Sequence, residues 1–344
     1  MPYCFEPFLV YIIINMNLNG VDLFKFLFSF AVVAIHAHLL DEQEGSIVSA
    51  LRIVENLAVP FFFIVSGFFL GKKISVGNEF EVYKHYICRF LKMYMIWCFV
   101  YLPINIYYEL IVYKFSLGFT VFDLIRGWLL VGENPYSWPL WYLLASAVAV
   151  LLIYIFRKFK FSFFIILLCS LVLFTIGYYY TTYHDVLYNL NPFLHNIMMF
   201  YDKTFRTTRN GFFEGLAYIM LGLFLAKYNS KKVACYAFVG GLILAFFNRT
   251  FCLLPLGYGV VGFLIHLHMG GNNSIFKKLR ILSIWVYLIH MLVVVILLNI
   301  FPSIDNINLY LFTIMITLIL AIIVCQFMKL ESFKWLESLI SIVR

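Results

Sequence analysis

The sequence is short of charge. Only 12% of its 344 residues are Asp, Glu, Lys or Arg, against roughly 25% in an ordinary soluble domain. A soluble fold could not cover 64% hydrophobic residues with so few charges, and a chain that is 20% aromatic is too apolar for disorder. Metal and disulfide frameworks are missing too. The seven cysteines (Cys4, Cys88, Cys98, Cys169, Cys235, Cys252, Cys325) are scattered, mostly through apolar segments, with no C-x-x-C pair. They read as buried, inert thiols, and no metal site is expected.

No secretory signal opens the chain, because Glu6 stands where a basic region belongs and no small-residue cleavage site follows. Met16 begins a more natural-looking start, so residues 1–15 read as a start-site extension ahead of one membrane domain spanning 16–344. No repeat, low-complexity tract or appended soluble domain is visible. The net charge of +8 does not point to nucleic acid, since no basic face with interleaved polar residues is available for a phosphate backbone.

What the chain does have is long apolar runs. A spanning helix needs about 20 such residues. Spans are expected near 22–40, 47–70, 91–111, 138–156, 161–180, 212–227, 233–248, 251–268, 281–301 and 308–328. The runs are continuous rather than alternating, which excludes a β-barrel. The fold class is therefore an all-α integral membrane protein with about ten transmembrane helices. With the amino terminus inside, 18 of the 25 basic residues fall on the cytoplasmic side. The first outer loop, Asp41-Glu42-Gln43-Glu44, is acidic, so both termini are expected to be cytoplasmic and the protein to sit in a bacterial plasma membrane.

Ionisable residues inside a span cost several kcal/mol unless paired or hydrated, and so mark function by default. Eleven residues at about 100° each bring Lys25 and His36 onto one face of the first span, about 16 Å apart along the axis, with Asp22 within about 40° of that stripe. His38 points elsewhere. His36 is either a packing histidine or a general base toward a hydroxyl, and Lys25 and Asp22 either join it or snorkel to the interface. Arg52 and Glu55 share a face near the outer start of the second span, as a neutralising pair or as part of a site. Arg206, Arg209 and Asn210, with Glu214, open the sixth span on the side that should be poor in positive charge. They are expected to form an anion site or a polar lumen. Ser66-Gly67 reads as close helix packing, with no Ser/His/Asp elbow around it.

Together these stretches resemble acyltransferase family three, membrane proteins that O-acylate cell-envelope sugars. Asp22-Leu-Phe-Lys25 with His36 resembles the family's first-helix arginine, ten residues and histidine. Val59-Pro60-Phe-Phe-Phe-Ile-Val-Ser66-Gly67 is similar to its second-helix signature. Tyr83-Lys84 through Arg89, leading to Tyr94 and Trp97, is similar to its basic third-helix entry, and Ser283-Ile-Trp-Val-Tyr287-Leu-Ile-His290 looks like its late motif. Pro139-Leu-Trp141-Tyr142 and Thr208-Arg209-Asn210-Gly211 resemble the branch holding enterobacterial-antigen acetyltransferases and the membrane half of vancomycin-resistance serine racemases.

The resemblance implies an O-acyltransferase that carries an acetyl group from cytoplasmic acetyl-CoA to a hydroxyl of an envelope sugar or lipid-linked glycan. His36 would be the base, and Lys25 and Arg89 would contact the donor's phosphates. Arg52, Arg206 and Arg209 would flank the acceptor, with Asp22 and His290 as further candidates. Acetyl-CoA is then a co-substrate, and no bound cofactor is expected. Lys25 stands where the family has arginine, which keeps the charge and loses the bidentate fork. The competing expectation is a non-enzymatic transport module whose buried charges line a path for a small polar substrate. The basic mouth beside His36 favours the enzyme, and no broken helix recurs in matching halves as in many transporters. The stretch 181–211, rich in Tyr and Asn, is expected as a mobile outer loop that shapes the acceptor pocket or forms an aromatic belt.

Overall fold

The computed structural model describes residues 18–267, 269–270 and 273–331, and all regular structure among them is helical. The proposed extension at 1–15 and the end of the chain beyond 331 lie outside the described residues. Two compact units are formed, one from residues up to Asn78 and from Gly222 onward, the other from Glu79–Leu221.

The first unit contains α1 (Asn19–His36) and α2 (Ser46–Ile74). The second contains α3 (Glu79–Tyr107), α4 (Leu117–Arg126), α5 (Trp141–Lys158), α6 (Phe163–Thr182), α7 (His184–Tyr188) and α8 (Pro192–Phe205). Helix α9 (Leu216–Lys227) carries the chain back to the first unit. There α10 (Lys231–Ala245), α11 (Leu253–Ile265), α12 (Asn273–Ile300) and α13 (Asn306–Phe327) follow.

Seven described helices are long and apolar enough to cross a bilayer: α1, α2, α3 with its extension to Val112, α5 with its leading turn, α6, α12 and α13. The other three expected spans coincide with α9, which the π turn Gly211–Gly215 precedes without a break, and with α10 and α11, of 15 and 13 residues. At 1.5 Å per residue the last two reach only about 20–23 Å, less than a hydrocarbon core of about 30 Å. Composition predicts apolar runs well, but not where the helix inside one stops: α10 ends at Ala245, and in the turn that follows the Asn248 side chain accepts from the Thr250 and Phe251 amides.

In the first unit α1 packs along α12 and α2, α12 along α13, and α11 against α2 and α10. Helix α12 buries 61% of its apolar window and α13 only 22%, so α12 is an inner helix and most of α13 faces lipid. Gly67 serves close packing as expected. A Cβ on Gly222 would strike the Ile64 carbonyl and come within 2.8 Å of the Gly67 Cα.

In the second unit α3 packs on α5, and a π-helical turn at Gly211–Gly215 packs on α5 and α6. Two more π turns, Tyr108–Val112 and Gly127–Val131, end α3 and α4. The stretch 181–211 is not a plain loop. It folds into α7 and α8, because the Asn191 side chain accepts from the Leu194 amide at 2.9 Å and Pro192 sits at the first helical position.

Candidate active site

In the first unit Asp22 and Lys25 lie at the N-terminal end of α1, both buried. The Lys25 ammonium is 3.8 Å from Asp22 Oδ1 and 4.7 Å above the Phe69 ring. Across from them, Arg280 of α12 donates to Asp22 Oδ2 at 3.3 Å. Two cations thus share one carboxylate through long contacts, and the group keeps a net positive charge. Arg280 was not among the expected site residues. Nothing local in the sequence links it to a partner 258 positions away.

His36 ends α1, eleven residues beyond Lys25, and His290 lies ten residues beyond Arg280 on α12. Their rings are 5.3 Å apart between centroids. Contacts at both levels mean that the two helices run in the same direction. A positive mouth and a histidine pair are therefore separated by about 15–16 Å of parallel helix. His36 is half-buried and His290 fully buried. The His290 Nδ1–H donates to the Val286 carbonyl at 3.1 Å, which assigns its tautomer and leaves Nε2 as an acceptor. That Nε2 is buried without a hydrogen-bond partner among the described residues. His38 lies past the end of α1, exposed, and pairs with Asp41 at 2.5 Å.

Arg52 and Glu55 of α2 do not form an ion pair among the described residues. The Arg52 guanidinium donates to the carbonyls of Leu40, Asp41 and Gln43 at 2.7, 3.3 and 3.1 Å, pinning the turn after α1. Glu55 keeps one buried oxygen, Oε1, without a partner.

The remaining expected residues belong to the second unit. Arg89 is half-buried on α3, its guanidinium 5.5 Å above the Tyr86 ring. Arg206, at the end of α8 with φ +60°, donates to both oxygens of Asp123 at 2.6 Å, and Arg126 pairs with the same carboxylate. Close by, Glu109 is fully buried. Asp123, Arg126, Arg206 and the Thr120 hydroxyl act on it, yet neither of its oxygens makes a hydrogen bond of good geometry.

Arg209 stacks 5.0 Å above the Trp141 ring. Burial pushes the Glu133 carboxyl above its ordinary range, against the pull of Arg209 and Arg206. Asn210 is committed to structure. Its side chain accepts from the amides of Phe212 and Phe213 at 2.9 and 3.1 Å and donates to Tyr201 and Thr207, capping the third π turn. Beside it lies a mostly apolar cavity of about 400 Å³, walled by Trp141, Leu144 and Val148 of α5.

The family model described as "Acyltransferase domain" matches residues 18–326. Among curated proteins the chain is similar to an amino-acid racemase of Enterococcus faecalis, at 28% identity over 70% of this chain and 32% of that protein. A second amino-acid racemase of the same organism is 25% identical over 81% of this chain and 41% of its own length. A serine/alanine racemase of Enterococcus gallinarum is 26% identical over 80% and 40%. The chain thus spans between 32% and 41% of the length of these relatives. No solved structure matches it.

Proposed function

Because the chain belongs to acyltransferase family three, a family of membrane proteins, we propose that it moves an acetyl group from cytoplasmic acetyl-CoA to a hydroxyl of a cell-envelope sugar or lipid-linked glycan. One observation carries the reading: a net-positive cluster of Asp22, Lys25 and Arg280 at one end of α1 and α12, with the His36–His290 pair about three turns deeper. A phosphate-bearing donor needs cations at the mouth, and a hydroxyl acceptor needs an imidazole at depth.

His36 removes the acceptor's hydroxyl proton, and the oxygen forms an ester bond to the acetyl carbon. The carbon–sulfur bond breaks, and the departing thiolate takes the proton from the imidazolium. Lys25 and Arg280 hold the donor's phosphates, and Arg280 supplies the planar fork that a lysine cannot. Arg89 is assigned to the donor as well. Arg52, Glu55, Arg206 and Arg209 are assigned to the acceptor side.

A second reading, a membrane module that passes a small polar substrate, draws support from one observation. The similar curated proteins are named racemases, so the shared segment there accompanies another activity. Transfer of radiolabelled acetyl from acetyl-CoA to an envelope fraction separates the two. Membranes carrying the native protein are expected to label the fraction, and His36→Ala of equal abundance to lose at least about 100-fold of that labelling. Equal labelling by both would remove His36 as the base, and no labelling by native membranes would leave the transport reading.

A further inference from the structure

A buried acceptor without a donor is costly, so the His290 Nε2, unpartnered among the described residues, calls for a partner that arrives during function. The ring beside it is His36, at 5.3 Å between centroids. That spacing leaves room for one N–H···N hydrogen bond between nitrogens turned toward each other. A base that takes the hydroxyl proton at one ring nitrogen carries its N–H on the other, and charging the ring makes that N–H a stronger donor. The proposed base thus presents a strengthened donor at the moment the reaction charges it, next to an acceptor fixed in place by Val286.

We propose that His290 is the positioning partner of His36: its Nε2 accepts a hydrogen bond from the His36 imidazolium formed when the acceptor hydroxyl gives up its proton. The inference rests on the acyltransferase reading. No proton leaves the pair, since His36 keeps the hydroxyl proton until the coenzyme A thiolate collects it. His290 stays neutral throughout, its own N–H retained by the Val286 carbonyl. An interaction that is stronger with the charged base stabilises the transition state more than the resting enzyme, and so acts on the chemical step rather than on donor binding.

Other groups on the surrounding helices bear on the same proton. On α12, Tyr287 lies 6.4 Å from His290 between ring centroids. Asp22, Lys25 and Arg280 stand about three turns away on α1 and α12. Helix α2 contributes Arg52, held by its three carbonyls, and Glu55, while Lys72 and Lys73 close its far end. Helix α11 contributes Tyr258, and α13 contributes Cys325 and Tyr310, on which Glu55 acts. None of these changes when His290 is replaced, so a shift in the variant reports the pair.

The test uses full-length protein in membranes and in detergent, with native His290, His290→Leu, which removes the acceptor, and His290→Gln, which returns an oxygen near the Nε2 position. With radiolabelled acetyl-CoA as the probe, His290→Leu should lower the turnover rate at least tenfold with KM for acetyl-CoA within about twofold. The acid limb of its rate profile should move to lower pH, because the charged base has lost its partner, and His290→Gln should recover both in part. Separately, in protein carrying ¹³C-histidine, the resonance that vanishes in His36→Ala should titrate at lower pH in His290→Leu and return in His290→Gln.

An unchanged acid limb, or an unchanged His36 titration, would overturn the proposal. So would a His290→Gln protein no better than His290→Leu. The spectroscopic arm needs no acetyl transfer. A shifted titration in protein that transfers nothing would uphold the pair while the acyltransferase reading fell.

Discussion

The two units treat their buried charges in opposite ways. In the second unit the Asp123 carboxylate is closed on both sides, by Arg126 and by both 2.6 Å contacts from Arg206. Glu79 is likewise held at 2.6 and 3.2 Å by Arg157 and at 2.9 Å by Tyr83. In the first unit two cations share Asp22 at 3.3 and 3.8 Å, and both Glu55 and His290 keep a buried atom with no partner. Closed networks hold helices together. Open ones retain capacity for something that is not yet there. By this measure the first unit carries the chemistry, while of the arginines expected to bind an anion in the second Arg206 is already spent on Asp123 and Arg209 is stacked on Trp141. Within the second unit Glu109 and the Nε of Arg126 depart from this, buried groups whose neighbours among the described residues do not fully satisfy them.

The sharpest way to break the contrast is to remove one carboxylate from each unit. Asp123→Ala leaves two guanidiniums without their shared partner and should destabilise the protein by about 3–5 kcal/mol, read as a fall in thermal stability in detergent. Asp22→Ala removes a carboxylate that its two cations hold only at 3.8 and 3.3 Å and should cost less, about 1–3 kcal/mol. Equal losses would erase the distinction between closed and open networks.

A smaller effect belongs to the helical stretch 184–205. The His184 Nε2 lies 3.0 Å from Asp202, and that hydrogen bond holds the imidazole above its ordinary value near 6.5. A raised folded value adds stability that is fully present below about pH 6.5 and lost as pH rises through the folded value. Hydrogen exchange across 184–205, corrected for intrinsic rates, should therefore show less protection at pH 8.5 than at pH 5.5. A smaller difference is expected in Asp202→Asn, where only Asp185 still acts on the imidazole.

Much of this was legible in the sequence, and what was missed follows a rule. The alignment of Asp22, Lys25 and His36 needed only the 100° step of a helix, and the Ser66-Gly67 contact only the small size of two residues. Local capping signals were present as well. Asn191-Pro192 marks a helix start, so the folding of 192–205 could have been read from it. Partners set by long-range packing could not. Arg280 meets Asp22 across 258 positions, Arg206 meets Asp123 across 83, and the two histidines stand 254 residues apart. Each residue was visible as a charge or an imidazole, but whether it was already satisfied was not. That property separates the two units.

The most direct test of the claim that the first unit receives the donor is equilibrium binding of radiolabelled coenzyme A to solubilised native protein and to the Lys25→Ala/Arg280→Ala double variant. Each charged hydrogen bond lost should cost about 1.5–3 kcal/mol, so affinity should fall by at least about tenfold in a variant that remains folded. An affinity unchanged by the double substitution, or no saturable binding by the native protein, would contradict the account.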